Sequence, residues 1–248
     1  MKAFSISGYS DSGKTTTAEH IIRELTSRGY KVGSIKEIHA EDFAIDGAPA
    51  SDTARQRAAG SGLVIARGLA ETDVMYPSKL DMQVILRFYE GFDYVLCESV
   101  RDLPMPMIVT AATVEDLDKN WNDFIFCVSG RVADEIGAYR DIPAISAMTG
   151  TAALADLIEK KVYEILPNTD PARCGICGLD CRRMGIGILR GEKKRSDCLC
   201  SSGPEIYMDG ERVTLVPFVR DSFHDVVMGY VRHLKGYTEG AMVEIRIK

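Results

Sequence analysis

The stretch Gly8-Tyr9-Ser10-Asp11-Ser12-Gly13-Lys14-Thr15 stands directly behind the short apolar run Ala3 to Ile6. It satisfies the pattern G-x-x-x-x-G-K-[S/T], which marks a phosphate site when a strand feeds the loop and the loop opens a helix. Gly8 and Gly13 let the backbone curl, so that the N–H groups of the intervening Tyr9, Ser10, Asp11 and Ser12 turn inward toward phosphate oxygens. The positive end of the following helix reinforces that concavity. Lys14 is placed to neutralise the β- and γ-phosphates, Thr15 to offer a hydroxyl to Mg²⁺, and Thr16 to reach the α-phosphate.

Outward from the loop, Thr16 to Arg28 carries Ala18, Ile21, Ile22 and Leu25 near one helical face, and Gly29 is placed to stop it. Lys31-Val32-Gly33-Ser34-Ile35 then reads as a second strand. Strand, loop, helix, strand within the first forty residues predicts an α/β fold, P-loop NTPase-like and doubly wound around a mostly parallel sheet. From Lys36 to Pro49 the periodicity fails, and His39, Glu41, Asp42 and Asp46 surround Phe43 and Ile45. A long loop after a strand, beside the phosphate loop, is where such folds put ligand-contacting residues. Asp42 or Asp46 is a candidate to hold Mg²⁺ through water, and His39 to face the triphosphate or a second ligand. A solvated acidic loop is the plain alternative.

Ser51-Asp52-Thr53 supplies capping chemistry for a helix that Gly60 ends. Leu63 to Ala66 reads as a short strand, Leu80 to Phe88 as a core-facing helix, and Tyr94-Val95-Leu96-Cys97 as a strand ending on Glu98. A carboxylate there is the counterpart of the phosphate loop, because Mg²⁺ and an attacking water both need an anionic partner opposite Thr15. A structural ion pair to Arg101 is the competing reading. Met107 to Val109 and Phe124 to Val128 continue the alternation. Pro143 to Ala147 is predicted as the last strand, before a helix from about Thr151 to Leu166. No Asn-Lys-x-Asp appears, and Ser146-Ala147-Met148 only faintly echoes a guanine loop, so the residues leave ATP against GTP open.

The 248 residues accommodate either one large domain or a medium domain plus a small one, and a hydrophobic content of 46% is ample for a core. A formal charge of −6 argues against a general nucleic-acid or anionic-membrane surface. No apolar run is long enough to span a bilayer, and the phosphate loop occupies the place of a signal peptide, which predicts a soluble cytoplasmic protein.

Cysteine usage is uneven. Cys97 and Cys127 sit alone in apolar runs and read as core residues, whereas Cys174, Cys177, Cys181, Cys198 and Cys200 crowd one window. Pro167-Asn168-Thr169-Asp170-Pro171 is a natural linker in front of them. The expected organisation is therefore a nucleotide-binding domain over 1–166, a four-cysteine domain over 167–203 and a small α+β module over 204–248. Three closely spaced thiolates and a fourth after a helix suit a [4Fe–4S] cluster held by Cys174, Cys177, Cys181 and Cys198, with Cys200 the spare. Structural zinc is the competitor. Arg182, Arg183, Arg190, Lys193, Lys194 and Arg195 flank the thiolates, stabilising a negative cluster, receiving a phosphorylated or acidic partner, or forming only a solvated helix face. Ile206 to Val216 around Asp209-Gly210 reads as a hairpin, followed by a helix from about Asp221 to Leu234 and a closing strand over Met242 to Ile247.

With these residues in hand, the first 166 resemble the molybdopterin-guanine dinucleotide biosynthesis adaptor (protein B) family. That family opens with a phosphate loop like Gly8 to Thr15 and follows its second strand with a histidine- and aspartate-rich segment. The segment ends in an Asp-[Ser/Thr] helix start and an Ala-Gly pair, matched by His39 through Asp52-Thr53, Arg55 and Ala59-Gly60. Its strand ending Val-Glu-Gly is matched by Leu96-Cys97-Glu98, with Ser99 in place of glycine. The clustered histidines are reduced to His39, and Pro-Gly-Lys-Asp has become Pro49-Ala50-Ser51-Asp52. Separately, Cys174 to Cys198 is similar to the four-cysteine [4Fe–4S] domain of corrinoid iron–sulfur proteins and electron-transport subunits, with the gap before Cys181 one residue shorter and the gap after it one longer.

The resemblance implies a GTP-binding accessory protein of molybdenum or tungsten pterin cofactor maturation. Such a protein binds Mg-GTP, hydrolyses it slowly, and assists the molybdenum cofactor guanylyltransferase that acts on molybdopterin. In that scheme Lys14 and Glu98 are the catalytic groups, Thr15 and Glu98 hold Mg²⁺, and a homodimer is an open possibility. Two other readings stand beside it. One is a nucleotide-gated electron carrier, weakened because Tyr9 stands where such ATPases carry an early lysine. The other is an iron–sulfur sensor that its nucleotide only rigidifies.

Overall fold

The apolar run behind the loop forms β1 (Lys2–Ser7), whose residues after Lys2 are all buried, and the loop delivers the chain into α1 (Lys14–Ser27). β2 (Val32–Lys36) follows. This computed structural model describes residues 1–40, 43, 51–167, 177–198, 204, 206–208, 211–213, 215, 217–239, 243 and 245. The chain divides into two compact units, Met1–Ile165 and Leu166–Lys248.

In the first unit, α2 (Asp52–Ala58) starts where Ser51 Oγ accepts the Ala54 N–H at 3.1 Å. β3 (Val64–Arg67) and β4 (Thr72–Met75) pair antiparallel as a separate hairpin. α3 (Met82–Arg87), capped by Asp81, leads to β5 (Tyr94–Glu98), buried throughout. β6 (Met107–Thr110), α4 (Val114–Asn120) and β7 (Ile125–Ser129) come next. A one-turn 3₁₀ helix at Arg131–Asp134, the two-residue strands β8 (Ala138–Tyr139) and β9 (Ile142–Pro143), and α5 (Thr151–Lys161) complete the unit.

β2-β5-β1-β6-β7 is the order of the central sheet, and all its pairings are parallel. Because side chains alternate across a strand, Ala3, Val95 and Cys97 face α3 through Met82 and Leu86, while Phe4, Ile6 and Leu96 are buried toward the other face. α1 packs against α5, with Ile21, Leu25, Leu154 and Ile158 fully buried. Arg28 ties the two helices by reaching Asp156 at 2.6 Å and Glu159 at 2.9 Å. The result is an α/β, P-loop-like fold.

The chain leaves β1 toward β2, returns to β5 between them, then crosses to β6 and β7 on the far side. That reversal at β1 is the switch point beyond whose carboxyl ends open α/β sheets bind ligands. The register brings the ends level: Lys36 pairs with Glu98, and Glu98 with Ile6.

Pro143 to Ala147, expected as the last strand, joins instead through a single parallel bridge, Ala144 to Val128, while Ile142–Pro143 turns back on β8. Pro143 has no N–H to give a ladder, so pairing stops at that bridge and the Ile145 N–H bond to Val128 O.

The second unit contains α6 (Cys181–Arg190), β10 (Ile206–Met208) paired antiparallel with β11 (Glu211–Val213), and α7 (Pro217–Val231). Asp180 caps α6 by accepting the Arg183 N–H at 2.7 Å, and Gly191 ends it in a left-handed conformation. Asp209-Gly210 and most of the expected closing strand lie outside the described residues. Among the described residues no helix is long and apolar enough to cross a membrane.

Candidate nucleotide site

A cleft of about 930 Å³ opens at the carboxyl ends of the sheet, and the phosphate loop forms its floor. Gly8, Tyr9, Ser10, Asp11, Gly13, Lys14, Thr15 and Thr16 all line it. Gly13 caps α1 in the left-handed region at φ 93°, a conformation that an L side chain resists, and this turns the loop into the helix. Ser12 is buried beneath the loop, where its hydroxyl meets Thr110 Oγ1 of β6 at 2.8 Å. Gly130, just past β7, closes the loop from behind. At φ 77° its missing side chain leaves room for Ser12 O, which would lie 2.1 Å from a Cβ there, and the next N–H, from Arg131, donates to that same oxygen at 3.3 Å.

Lys14 Nζ points into the loop and donates to Gly8 O at 3.0 Å and Tyr9 O at 2.5 Å. Burial, opposed by the Glu98 carboxylate and aided by the Lys36 ammonium, holds its pKa below the ordinary 10.5. These carbonyls occupy the donors that phosphate oxygens would take.

Opposite the loop, Glu98 ends β5 with its side chain only 10% exposed. Thr15 Oγ1 donates to Glu98 Oε1 at 3.2 Å, and Lys36 Nζ reaches the same oxygen at 3.1 Å. Among the described residues the ion-pair partner of Glu98 is thus Lys36, at the end of β2, and not Arg101, which lines the cleft separately. A hydroxyl and a carboxylate oxygen side by side are hard donors of the kind Mg²⁺ selects, so Thr15 and Glu98 fit the ion. Ser99 follows with φ 64°, a left-handed turn unusual for a residue with a side chain.

His39, in the segment after β2, lines the cleft. Asp42 and Asp46 lie outside the described residues. Lys36, Ser99, Arg101, Gly130, Arg131 and Asp134 also line the cleft, and sequence reasoning assigned none of them to it. Each stands at or within a few residues of the carboxyl end of β2, β5 or β7, so sheet order is the signal that finds them. Ser146, Ala147 and Met148, the faint guanine-loop echo, line it too.

In the second unit Cys181 begins α6, Cys177 lies just before it, and Cys198 is buried. None of the three is in a disulfide. Cys174 and Cys200 lie outside the described residues. Among the described residues no three His, Cys, Asp or Glu side chains are gathered so as to hold a metal, so Cys177, Cys181 and Cys198 do not themselves form a ligand set.

Residues 3–124 match the family profile of molybdopterin guanine dinucleotide synthesis protein B. A Methanocaldococcus jannaschii protein named as a molybdopterin-guanine dinucleotide biosynthesis adapter is 26% identical over 255 residues, covering 100% of this chain and 97% of its own. The adapter of that name from Haemophilus influenzae is 35% identical over 108 residues, 42% of this chain and 60% of its own. Among solved structures, Bacillus subtilis MobB superposes with a TM-score of 0.53 at 20% identity, covering 66% of this chain and 99% of that one, a likeness of fold.

Proposed function

We propose that the chain is a guanine-nucleotide-binding adapter in the making of molybdopterin guanine dinucleotide. It binds Mg-GTP in the cleft at the end of β1, hydrolyses it slowly, and serves the guanylyltransferase that joins GMP to molybdopterin. The observation that carries the reading is the meeting of Thr15, Glu98 and Lys36 across from a complete phosphate loop, all within the 3–124 segment matched to the adapter family.

In this reading the loop amides and Lys14 bind the β- and γ-phosphates, and Thr15 with Glu98 holds Mg²⁺. The bound ion would supply neutralisation of phosphate charge. Glu98 is also placed to accept a proton from a water aligned on the γ-phosphate. Because phosphoryl transfer asks little covalent chemistry of the protein, positioning and fixed charge provide most of the acceleration. Asp42, Asp46 and His39 belong to the same reading as outer contacts to ion and nucleotide. A homodimer remains open in this reading, and the cytoplasm is its compartment.

The cysteine window enters as a docking or redox-sensing part, with Cys174, Cys177, Cys181 and Cys198 holding a [4Fe–4S] cluster. What supports this is the crowding of thiolates around a capped helix in the sequence, and iron and sulfide assay of anaerobically purified protein tests it, zinc in their place ending it. The nucleotide reading is tested by titrating the full chain with Mg-GTP and then adding it to a guanylyltransferase and molybdopterin assay. Micromolar GTP binding and faster dinucleotide formation are expected, and failure to bind any nucleoside triphosphate overturns the proposal.

A further inference from the structure

We infer that Asp134 and the backbone of Ala147 read the base of the nucleotide and make the cleft select guanine. The inference rests on the nucleotide reading above and adds to it the residues that set specificity.

Two elements flank the end of β7 on the side of the cleft away from Glu98. One is the 3₁₀ turn Arg131–Asp134. In that geometry side chains three residues apart eclipse one another, so Arg131 and Asp134 stand on one face while the intervening Val132 and Ala133 are buried. The Val132 N–H fixes the turn by donating to Ala111 O at 3.0 Å. Both exposed side chains line the cleft, Arg131 next to the phosphate loop and Asp134 one turn beyond. Among the described residues the Asp134 carboxylate meets no cation and no hydrogen-bond donor.

The other element is Ser146-Ala147-Met148, which begins where Ser129 Oγ donates to Ile145 O at 2.8 Å. It is held rigidly: the Gly150 N–H donates to Ser146 O, the Thr151 hydroxyl to Ala147 O, and the Met148 N–H to Ser146 Oγ. Ala147 is only 3% exposed, yet among the described residues its N–H has no acceptor. A buried backbone donor without a partner is rare and calls for an acceptor from outside the chain. Met148, 62% exposed at the rim, offers an apolar flank for a flat ring.

An ionised aspartate accepts only, and guanine presents two adjacent donors, N1–H and the N2 amino group, with the O6 acceptor beside them. Asp134 matches the donor pair and the Ala147 N–H matches O6. Adenine reverses both: its N6 amino group would face the Ala147 N–H, donor against donor, and its unprotonated N1 would face the carboxylate. A site whose polar groups are left unpaired by the wrong ligand discriminates strongly.

The test is calorimetric titration of the full-length chain and of Asp134→Asn with Mg-GTP, Mg-ATP and Mg-XTP. Wild type is expected to prefer GTP. The substitution replaces an acceptor by a donor, which suits the 2-oxo group of xanthine, so affinity for GTP should fall about tenfold to a hundredfold while affinity for XTP rises. A gain for XTP cannot come from unfolding. If wild type binds GTP and Asp134→Asn leaves the GTP-to-XTP ratio unchanged, or if wild type prefers ATP, the inference is overturned while the phosphate site stands. Binding of none of the three by wild type removes both.

Discussion

Thr15 Oγ1 and Lys36 Nζ converge on one oxygen, Glu98 Oε1, at 3.2 and 3.1 Å, so the carboxylate at the end of β5 bridges the phosphate loop to the neighbouring strand β2. Glu98→Gln keeps the shape and removes the charge. Lys36 is 57% exposed and returns to water, so the stability change should stay within about 1 kcal/mol. Mg²⁺-dependent GTP affinity and hydrolysis should each fall at least about tenfold, while affinity measured in excess chelator is unchanged. Equal losses with and without Mg²⁺ would remove the ion-holding role.

Lys14→Ala tests the loop more directly. Two carbonyls, Gly8 O and Tyr9 O, lose a donor they can replace with water, so circular dichroism and melting should barely change. Triphosphate affinity should drop roughly a hundredfold, the size expected for charge-assisted bonds to phosphate. Retained affinity in folded protein would contradict the placement of the phosphates.

A Cβ at position 130 would lie 2.1 Å from Ser12 O, on a backbone at φ 77°. Gly130→Ala therefore has to push the loop forward, and should cost on the order of 1–3 kcal/mol with a matching loss of nucleotide affinity. The two effects should appear together in urea melts and titrations, because one contact causes both.

Cys97 and Cys127 are 0% exposed, and burial pushes both thiols up to about 12 from 9.0. The folded chain keeps both protons where the unfolded chain has begun to release them. Their contribution to stability is therefore intact below pH 9 and is lost as pH rises toward 12. Unfolding free energies from urea melts at pH 8 and pH 10 should differ by roughly 3 kcal/mol. At pH 8 a thiol reagent should spare Cys97 and Cys127 until denaturant is added.

The path from β1 through the phosphate loop into α1 was legible because the glycines, Lys14 and the apolar spacing all point the same way within thirty residues. Glu98 was legible as the polar end of an otherwise apolar run. β4 was not: Thr72–Met75 is short and mostly exposed, and it becomes a strand only because β3 lies beside it. Lys36, Gly130 and Asp134 escaped for a related reason. They share no local pattern, and only the order of strands in the sheet sets them around one space. Pro143 to Ala147 has the composition of a strand, yet its leading proline reduces it to a single bridge.

Ser99 holds a left-handed turn at φ 64°, at the position where the resembling family ends its strand with glycine. An L residue kept there stores strain on the order of 1 kcal/mol. Ser99→Gly should therefore raise the melting temperature while removing a hydroxyl from the wall of the cleft. At this corner the chain gives up resilience for a hydroxyl in the wall of the cleft, and a glycine there would show which of the two the protein can do without.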